Sequence, residues 1–562
     1  MPTMTTRLRV RRFALCAVVA ATSATVVSAV PVFTDTSSTT LNTAVNACLE
    51  TNHGKDPSGA DCYVKSSDLS PCSLGDADCF FISDWDVSGV TDMSALFQTR
   101  PLFNQDIGNW DVSSVTIMEA MFENAGAFNQ DISNWDVSSV TDMYTMFRYA
   151  IAFNQDIGNW DVSSVTDMAF MLRSAHAFTQ DIGNWDVSSV GKLRGLLKDT
   201  PVFNQDIGNW DVSSATDMDG MFDGASSFNK DISNWDVSSV RDMEDMFKNS
   251  AAFNQDIGNW DVSSVTDMDG MFHGASSFNQ DISNWDVSSA TDMEEMFCGA
   301  SSFNKDIGNW DVSGVTTFAS MFSDGSIFNQ DISTWDVSAA QTMSDMFWDN
   351  PAFNQPIGNW DVSSVKTMQW MFDGASSFNQ DISNWNVASV TNMGQMFKNA
   401  VSFDANILDW NTRGIYERFD DPDEWDVDAT RTIENMFYGA TAWLAKYRRI
   451  TTFGFDYEDY DYDYYYEDPH DFRTFGPPSA WILRSEYIVN GTSGSDGSSG
   501  SSGSDFPEWG IALAGVALAL SAVTSIFVLI QKLCCSRPKY EPSMMAYATQ
   551  QQPQRVVIAN QV

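Results

Sequence analysis

Histidine is scarce in this chain: four residues in 562, scattered at His53, His176, His273 and His470. Acid–base chemistry centred on imidazole has little to build on there. Basic side chains are also few, with 30 Lys and Arg against 75 Asp and Glu, a formal charge of −45. A surface of that sign repels phosphate backbones, so a nucleic-acid partner is not expected. No C-x-x-C pair, EF-hand loop or nonapeptide calcium motif occurs. The absence that organises the rest is of insertions. Trp85, Trp110, Trp135, Trp160, Trp185, Trp210, Trp235, Trp260, Trp285, Trp310, Trp335, Trp360, Trp385 and Trp410 follow one another at a single constant interval, without a slip. Independent beads tolerate added residues between them, whereas units resting directly on one another do not.

What is present at the two ends reads as targeting. Arg7, Arg9, Arg11 and Arg12 precede an apolar run from Phe13, with Val27 and Ala29 at −3 and −1 of a cleavage site, so residues 1–29 are expected to be a signal peptide. Trp509–Ile530 holds 22 residues without a charge, about 33 Å as a helix, which predicts a single transmembrane helix at 509–530. Lys532, Arg537 and Lys539 follow it, which orients 531–562 as a cytoplasmic tail and the N-terminus outside, at the plasma membrane. Cys48, Cys62, Cys72 and Cys79 lie in an expected N-terminal cap, residues 30–80. In an exported chain they read as two disulfides, with three pairings open and zinc as the alternative. The segment 441–508 contains the acidic, tyrosine-rich "DYEDYDYDYYYEDPHD" (456–471), then a Gly/Ser tether with a glycosylation sequon at Asn490.

Between these ends, thirteen 25-residue units fill 81–400, and 401–440 is a degenerate continuation. In residues 253–277, Ile257, Trp260, Val262 and Val265 are spaced three, two and three apart, and Trp260 and Val262 alternate inward around an outward Asp261 as a short strand requires. Val265, Met268, Met271, Phe272 and Ala275 then follow helical spacing, with Ser264 and Asp267 as an N-terminal cap. The expectation is an α/β solenoid: a parallel strand plus a short helical segment per turn, with the tryptophans inside. Asn259, Asp261 and Ser263 would then form a constant strand face, while divergence gathers on the helical side, as in "YTMFRYA" (144–150) and "AFMLRSA" (169–175).

The repeated phrase "FNQDIS-WDVSSVTDM--MF--A" closely resembles the 25-residue repeat of BspA-like leucine-rich-repeat surface proteins, over residues 81–440. The resemblance implies a leucine-rich-repeat-like fold and a role in surface adhesion or recognition. The chain departs from that pattern in its anchor: Cys16 lies too early in the apolar run for lipid attachment, and an apolar segment stands near the C-terminus instead.

Two sets of residues stand out as candidate sites. Asp106, Asp131, Asp156, Asp181, Asp206, Asp231, Asp256 and Asp281 form a column at 25-residue steps, and a second column runs from Asp111 to Asp361. Like charges on adjacent rungs repel, and calcium would relieve that; the alternative is that each carboxylate caps its own turn. The second set is Lys192, Arg194 and Lys198, a cationic turn in an acidic array and a candidate partner-binding site. A dozen equivalent carboxylate pairs argue against one specialised catalytic acid, so no enzyme activity is expected. The sequence points to an exposed single-pass protein that binds an extracellular protein or glycan, or else to a structural coat component holding cations.

Overall fold

The computed structural model describes residues 31–33, 38–51, 63–65, 79–412, 435–449 and 481–483. Two compact units divide the chain, Met1–Thr492 and Ser493–Val562, and every described residue lies in the first.

One turn shows how the units are built. In 253–277, Phe253, Ile257, Trp260, Val262, Val265, Met268, Met271, Phe272 and Ala275 are all buried. The backbone bends twice at one end, where Trp260 N–H donates to Ile257 C=O (3.1 Å) and Val265 N–H to Val262 C=O (2.9 Å). It then runs beside the next turn. The N–H groups of Met268, Gly270, Phe272 and Gly274 donate to the carbonyls of Asp292, Glu294, Met296 and Cys298 at 3.1, 2.8, 2.9 and 2.7 Å. The intervening N–H groups of Met271, His273 and Ala275 fold back locally, to Met268, Gly270 and Phe272. Half the donors therefore bond to the neighbouring turn and half close local turns, which satisfies the backbone without a helix or a continuous strand. Single-residue parallel bridges mark the same ladder from Asp92 to Asn392, one in every repeat.

This corrects the expected strand-plus-helix unit. Trp260–Val262 is no strand but the link between two tight bends, and 265–275 is no helix. The reason is local. Gly270 and Gly274 adopt left-handed backbone (φ +61° and +67°), and residues such as Thr145, Phe170, Asp245 and Trp370 do so at equivalent positions. A left-handed residue every fourth position cannot belong to a right-handed helix. Asp267, expected as part of a helix cap, accepts the Asp269 N–H at 3.0 Å in a two-residue turn instead. The faces are corrected as well. The inter-turn ladder passes through the divergent residues, while the constant Asn259, Asp261 and Ser263 sit at the bends.

The interior agrees with the expected spine. Trp260 is 4% exposed, lies 6.4 Å from Trp235 with near-parallel rings, and its Nε1–H donates to Ile232 C=O at 3.2 Å. Phe272 stacks on Phe278 within 4.0 Å and on Phe297 at 5.6 Å. A side-chain ladder adds cross-links: Asn254 Oδ1 accepts from Asn279 N–H (3.0 Å) and from Gln280 Nε2 (2.9 Å).

Both ends of the stack are covered. Helix α1 (Ser38–Thr51) buries Leu41, Ala44 and Val45 in the common core, and Arg100 reaches Asn46 Oδ1 at 2.6 Å. Strands β1 (Tyr63–Lys65) and β2 (Cys79–Phe81) pair antiparallel beside it. The side chains of Cys48 and Cys79, and Cys62 and Cys72 entirely, lie outside the described residues, as do Asn490 and segments 1–29 and 509–530. At the far end Phe397 and Asn399 donate to Met436 and Tyr438, a longer step along the chain than inner turns take, as from Phe372 to Met396. The ladder thus continues across the degenerate segment. Helix α2 (Thr441–Lys446) then places Trp443 on Phe403 and Phe437 at 5.7 and 4.5 Å. Strands β3 (Tyr447–Arg449) and β4 (Trp481–Leu483) pair antiparallel after it. Among the described residues, no helix is long and apolar enough to cross a membrane.

Candidate recognition surface

The Asp columns at the bends act on their own backbone. Oδ1 of Asp106, Asp131, Asp156, Asp181, Asp206, Asp231, Asp256 and Asp281 accepts the N–H two residues on, at 2.9 to 3.1 Å. Where that residue is serine, its hydroxyl donates too, as from Ser133 to Asp131 at 2.6 Å. The serine hydroxyl, then the backbone N–H, hold Asp131, Asp231 and Asp281 below the usual carboxylate range. The second column behaves likewise, as at Asp261, which accepts from Ser263 N–H and Oγ at 3.1 and 2.6 Å.

Among the described residues, three carboxylates come within 4.8 Å of one another on the ladder face rather than in these columns. They are Asp219, Asp242 and Glu244, on neighbouring rungs. Four successive turns carry acids at both ladder positions there: Asp217 with Asp219, Asp242 with Glu244, Asp267 with Asp269, Asp292 with Glu294. Oxygen donors in this arrangement suit a hard divalent cation. Burial pushes Asp219 up to about 7 even though Arg194 pulls it down, with Glu244 and Asp242 adding to the rise. Burial also raises Asp242.

The expected cationic turn lies beside this acidic zone, and its neighbours occupy its charges. Lys192 pairs with Asp167 at 2.7 Å, Arg194 with Asp219 at 2.5 Å, and Lys198 with Asp223 at 2.8 Å. Rungs on either side thus neutralise the three cations. Asp223 is itself raised by burial, against the pull of Lys198.

Sequence reasoning missed what surrounds that turn. Arg148, Arg173 and Lys198 share one column, and half-buried Tyr144, Tyr149 and Phe170 lie among them. Arg148 sits over the Tyr149 ring at 5.1 Å, and Arg173 lies 5.9 Å from Tyr149 and 5.5 Å from Phe170. Arg194 covers Phe170 at 5.7 Å, and Tyr144 meets Phe170 edge-on at 6.3 Å. Glu123 and Asp199 flank Arg148 and Arg173 at 3.4 and 4.0 Å. The available signal was the 25-residue spacing of 148, 173 and 198, visible once the divergent segments are aligned on the tryptophans. Interleaved rings and guanidiniums are the side chains that dominate contact energies at protein interfaces. Further along the same face, Trp348 and Trp370 are also half-buried, and His273 Nδ1 meets Glu295 at 2.9 Å.

These features define a tandem-repeat protein in which each 25-residue unit is hydrogen-bonded to the next and sequence variation is gathered on one face. Four overlapping segments, 76–183, 170–278, 253–350 and 327–420, match the family described as "Mycoplasma protein of unknown function, DUF285". The chain belongs to that family. No curated protein matches it.

Proposed function

We propose that this is a cell-surface protein, anchored by one membrane pass with its N-terminus outside, that presents a repeat solenoid for adhesion or ligand recognition. One observation carries the reading. The exposed Asp, Asn and Ser columns at the bends hardly change from turn to turn, and the aspartates are used in local hydrogen bonds. The partly exposed ladder positions, by contrast, change charge and size from rung to rung. Scaffold residues are expected to stay constant and contact residues to differ. The export signals and the resemblance to BspA-like surface proteins support the location and the role. Labelling intact cells with a membrane-impermeant reagent against a tag placed after residue 30 tests it. The tag is expected to be reached on unbroken cells, and labelling only after permeabilisation would overturn the proposal.

A second reading, a coat component that holds cations, is favoured by the approach of Asp219, Asp242 and Glu244. It predicts a rise in melting temperature with added calcium that Asp242→Asn abolishes.

A further inference from the structure

The ladder face is not uniform in charge. Of the twelve Lys and Arg between residues 79 and 412, five (Arg148, Arg173, Lys192, Arg194 and Lys198) fall within 148–198. Tyr144, Tyr149 and Phe170 are interleaved with three of them. The rungs that follow, from 217 to 295, carry the paired acids described above. Asp167, Asp219 and Asp223 neutralise Lys192, Arg194 and Lys198, so an acidic partner is repelled from the middle of the face and is met by cations at Arg148 and Arg173. The guanidiniums there are preorganised. Rings hold their flat faces, and Glu123 and Asp199 stand 3.4 and 4.0 Å from Arg148 and Arg173. Those are single, long approaches rather than paired short hydrogen bonds, so each fork has donors left for a second carboxylate.

The complement to such a surface is an extended peptide that offers carboxylates and aromatic rings together. This chain contains one. Residues 456–471 hold eight acids and six tyrosines, and from Asp459 to Tyr464 they alternate strictly. In extended backbone, alternation places the carboxylates of Asp459, Asp461 and Asp463 on one side and Tyr460, Tyr462 and Tyr464 on the other. We infer that the platform formed by Tyr144, Arg148, Tyr149, Phe170 and Arg173 is a docking site for segment 456–471 of a second copy of this chain.

Reach counts against the same copy. The segment follows β3, which ends at Arg449. From the Tyr438 rung to the rungs of Arg173 and Arg148 is ten and eleven steps, about 48 and 53 Å measured along the stack. Fully extended, Asp459 to Asp463 lie about 34 to 48 Å from Arg449. Asp463 comes level with Arg173 only if every intervening residue is fully extended, and none of the three reaches Arg148, so the alternating stretch Asp459–Asp463 cannot lie across both guanidiniums of its own platform. Contact between copies carries no such limit, and it makes the recognition face self-complementary in a head-to-tail sense.

The inference rests on reading the ladder face as a recognition surface, and its test separates the two. Full-length chains carrying two different tags are mixed in detergent, and one tag is captured. Wild type is expected to retain its differently tagged copy. Arg148→Glu with Arg173→Glu, and separately Asp459→Asn with Asp461→Asn and Asp463→Asn, are each expected to lower self-capture at least about tenfold. The platform variant mixed with the segment variant is expected to regain capture, because each supplies the half the other lacks. Recovery of that kind also shows that both variants are folded. Absence of wild-type capture, self-capture unchanged in both variants, or failure of the mixed pair would overturn the inference. None of these would touch the surface location, which labelling of intact cells tests on its own.

Discussion

At the residue scale, the turns that carry glycine at the first bend are built on close backbone approach. Gly258 is an example: a Cβ there would collide with the carbonyl oxygen of Asp281 on the next turn, which is backbone and cannot swing away. Gly258→Ala is expected to destabilise the stack by about 1–3 kcal/mol, as overpacking does, read as a lower melting temperature. Ser283 occupies the equivalent place one turn later, so an unchanged melting temperature would show that the Gly turns can adopt the Ser geometry at no cost. The buried positions were legible from the sequence because apolar spacing reports burial directly: Ile257, Trp260, Val262, Val265, Met268, Met271 and Phe272 are all interior. The left-handed conformation of Thr145, Phe170 or Trp370 was not legible, since these residue types disfavour it. Neighbouring turns impose it by drawing alternate N–H groups outward.

At the scale of one turn, the same competition explains why a helical period gave no helix. Met268, Met271, Phe272 and Ala275 have helical spacing, but a segment of that length with Gly270 and Gly274 inside gains little from helix formation alone. The hydrogen bonds to the next turn outweigh it. The cationic turn was legible as a cluster, whereas its neutralisation was not, because Asp167, Asp219 and Asp223 stand a full repeat away in the chain and become neighbours only through the register. Arg194 is partly exposed while Asp219 is buried, so Arg194→Met leaves a carboxylate that must be neutralised by protonation. A loss of about 1–3 kcal/mol is expected, less than for a fully buried pair because of solvent screening. Adding Asp219→Asn should recover most of that loss. Thermal melts of the three chains decide this, and no recovery in the double variant would mean that Arg194 acts through packing on Phe170 instead.

At the scale of the molecule, two populations of carboxylate set opposite pH responses. Asp219, raised to about 7 by burial, binds its proton more readily folded than unfolded. Its stabilising effect is therefore complete below its ordinary value and lost as pH rises through about 7. The bend aspartates such as Asp131, Asp136 and Asp211 are held low by serine. They contribute above their ordinary value, and that contribution fades as pH falls through their depressed ones. Stability is expected to peak on the mildly acidic side of neutrality. Because repeat stacks loosen rung by rung, the alkaline loss should be local. Hydrogen exchange at the ladder amides of 193–222 is expected to quicken between about pH 6 and about pH 8, after correction for intrinsic rates, more than at 143–172. Equal change in both stretches would remove Asp219 as the cause.

Which face meets a partner is measured most directly by adhesion of cells displaying the full chain. One variant replaces ladder residues of the platform, Tyr144→Ser, Arg148→Gln, Tyr149→Asn, Phe170→Gly and Arg173→Gln. The other replaces the bend column with isosteres that keep the local turns, Asp106→Asn, Asp131→Asn, Asp156→Asn and Asp181→Asn. At equal surface display, the ladder variant is expected to lose adhesion at least about tenfold while the bend variant stays within about twofold of wild type. Loss confined to the bend variant, with the ladder variant unaffected, would contradict the assignment.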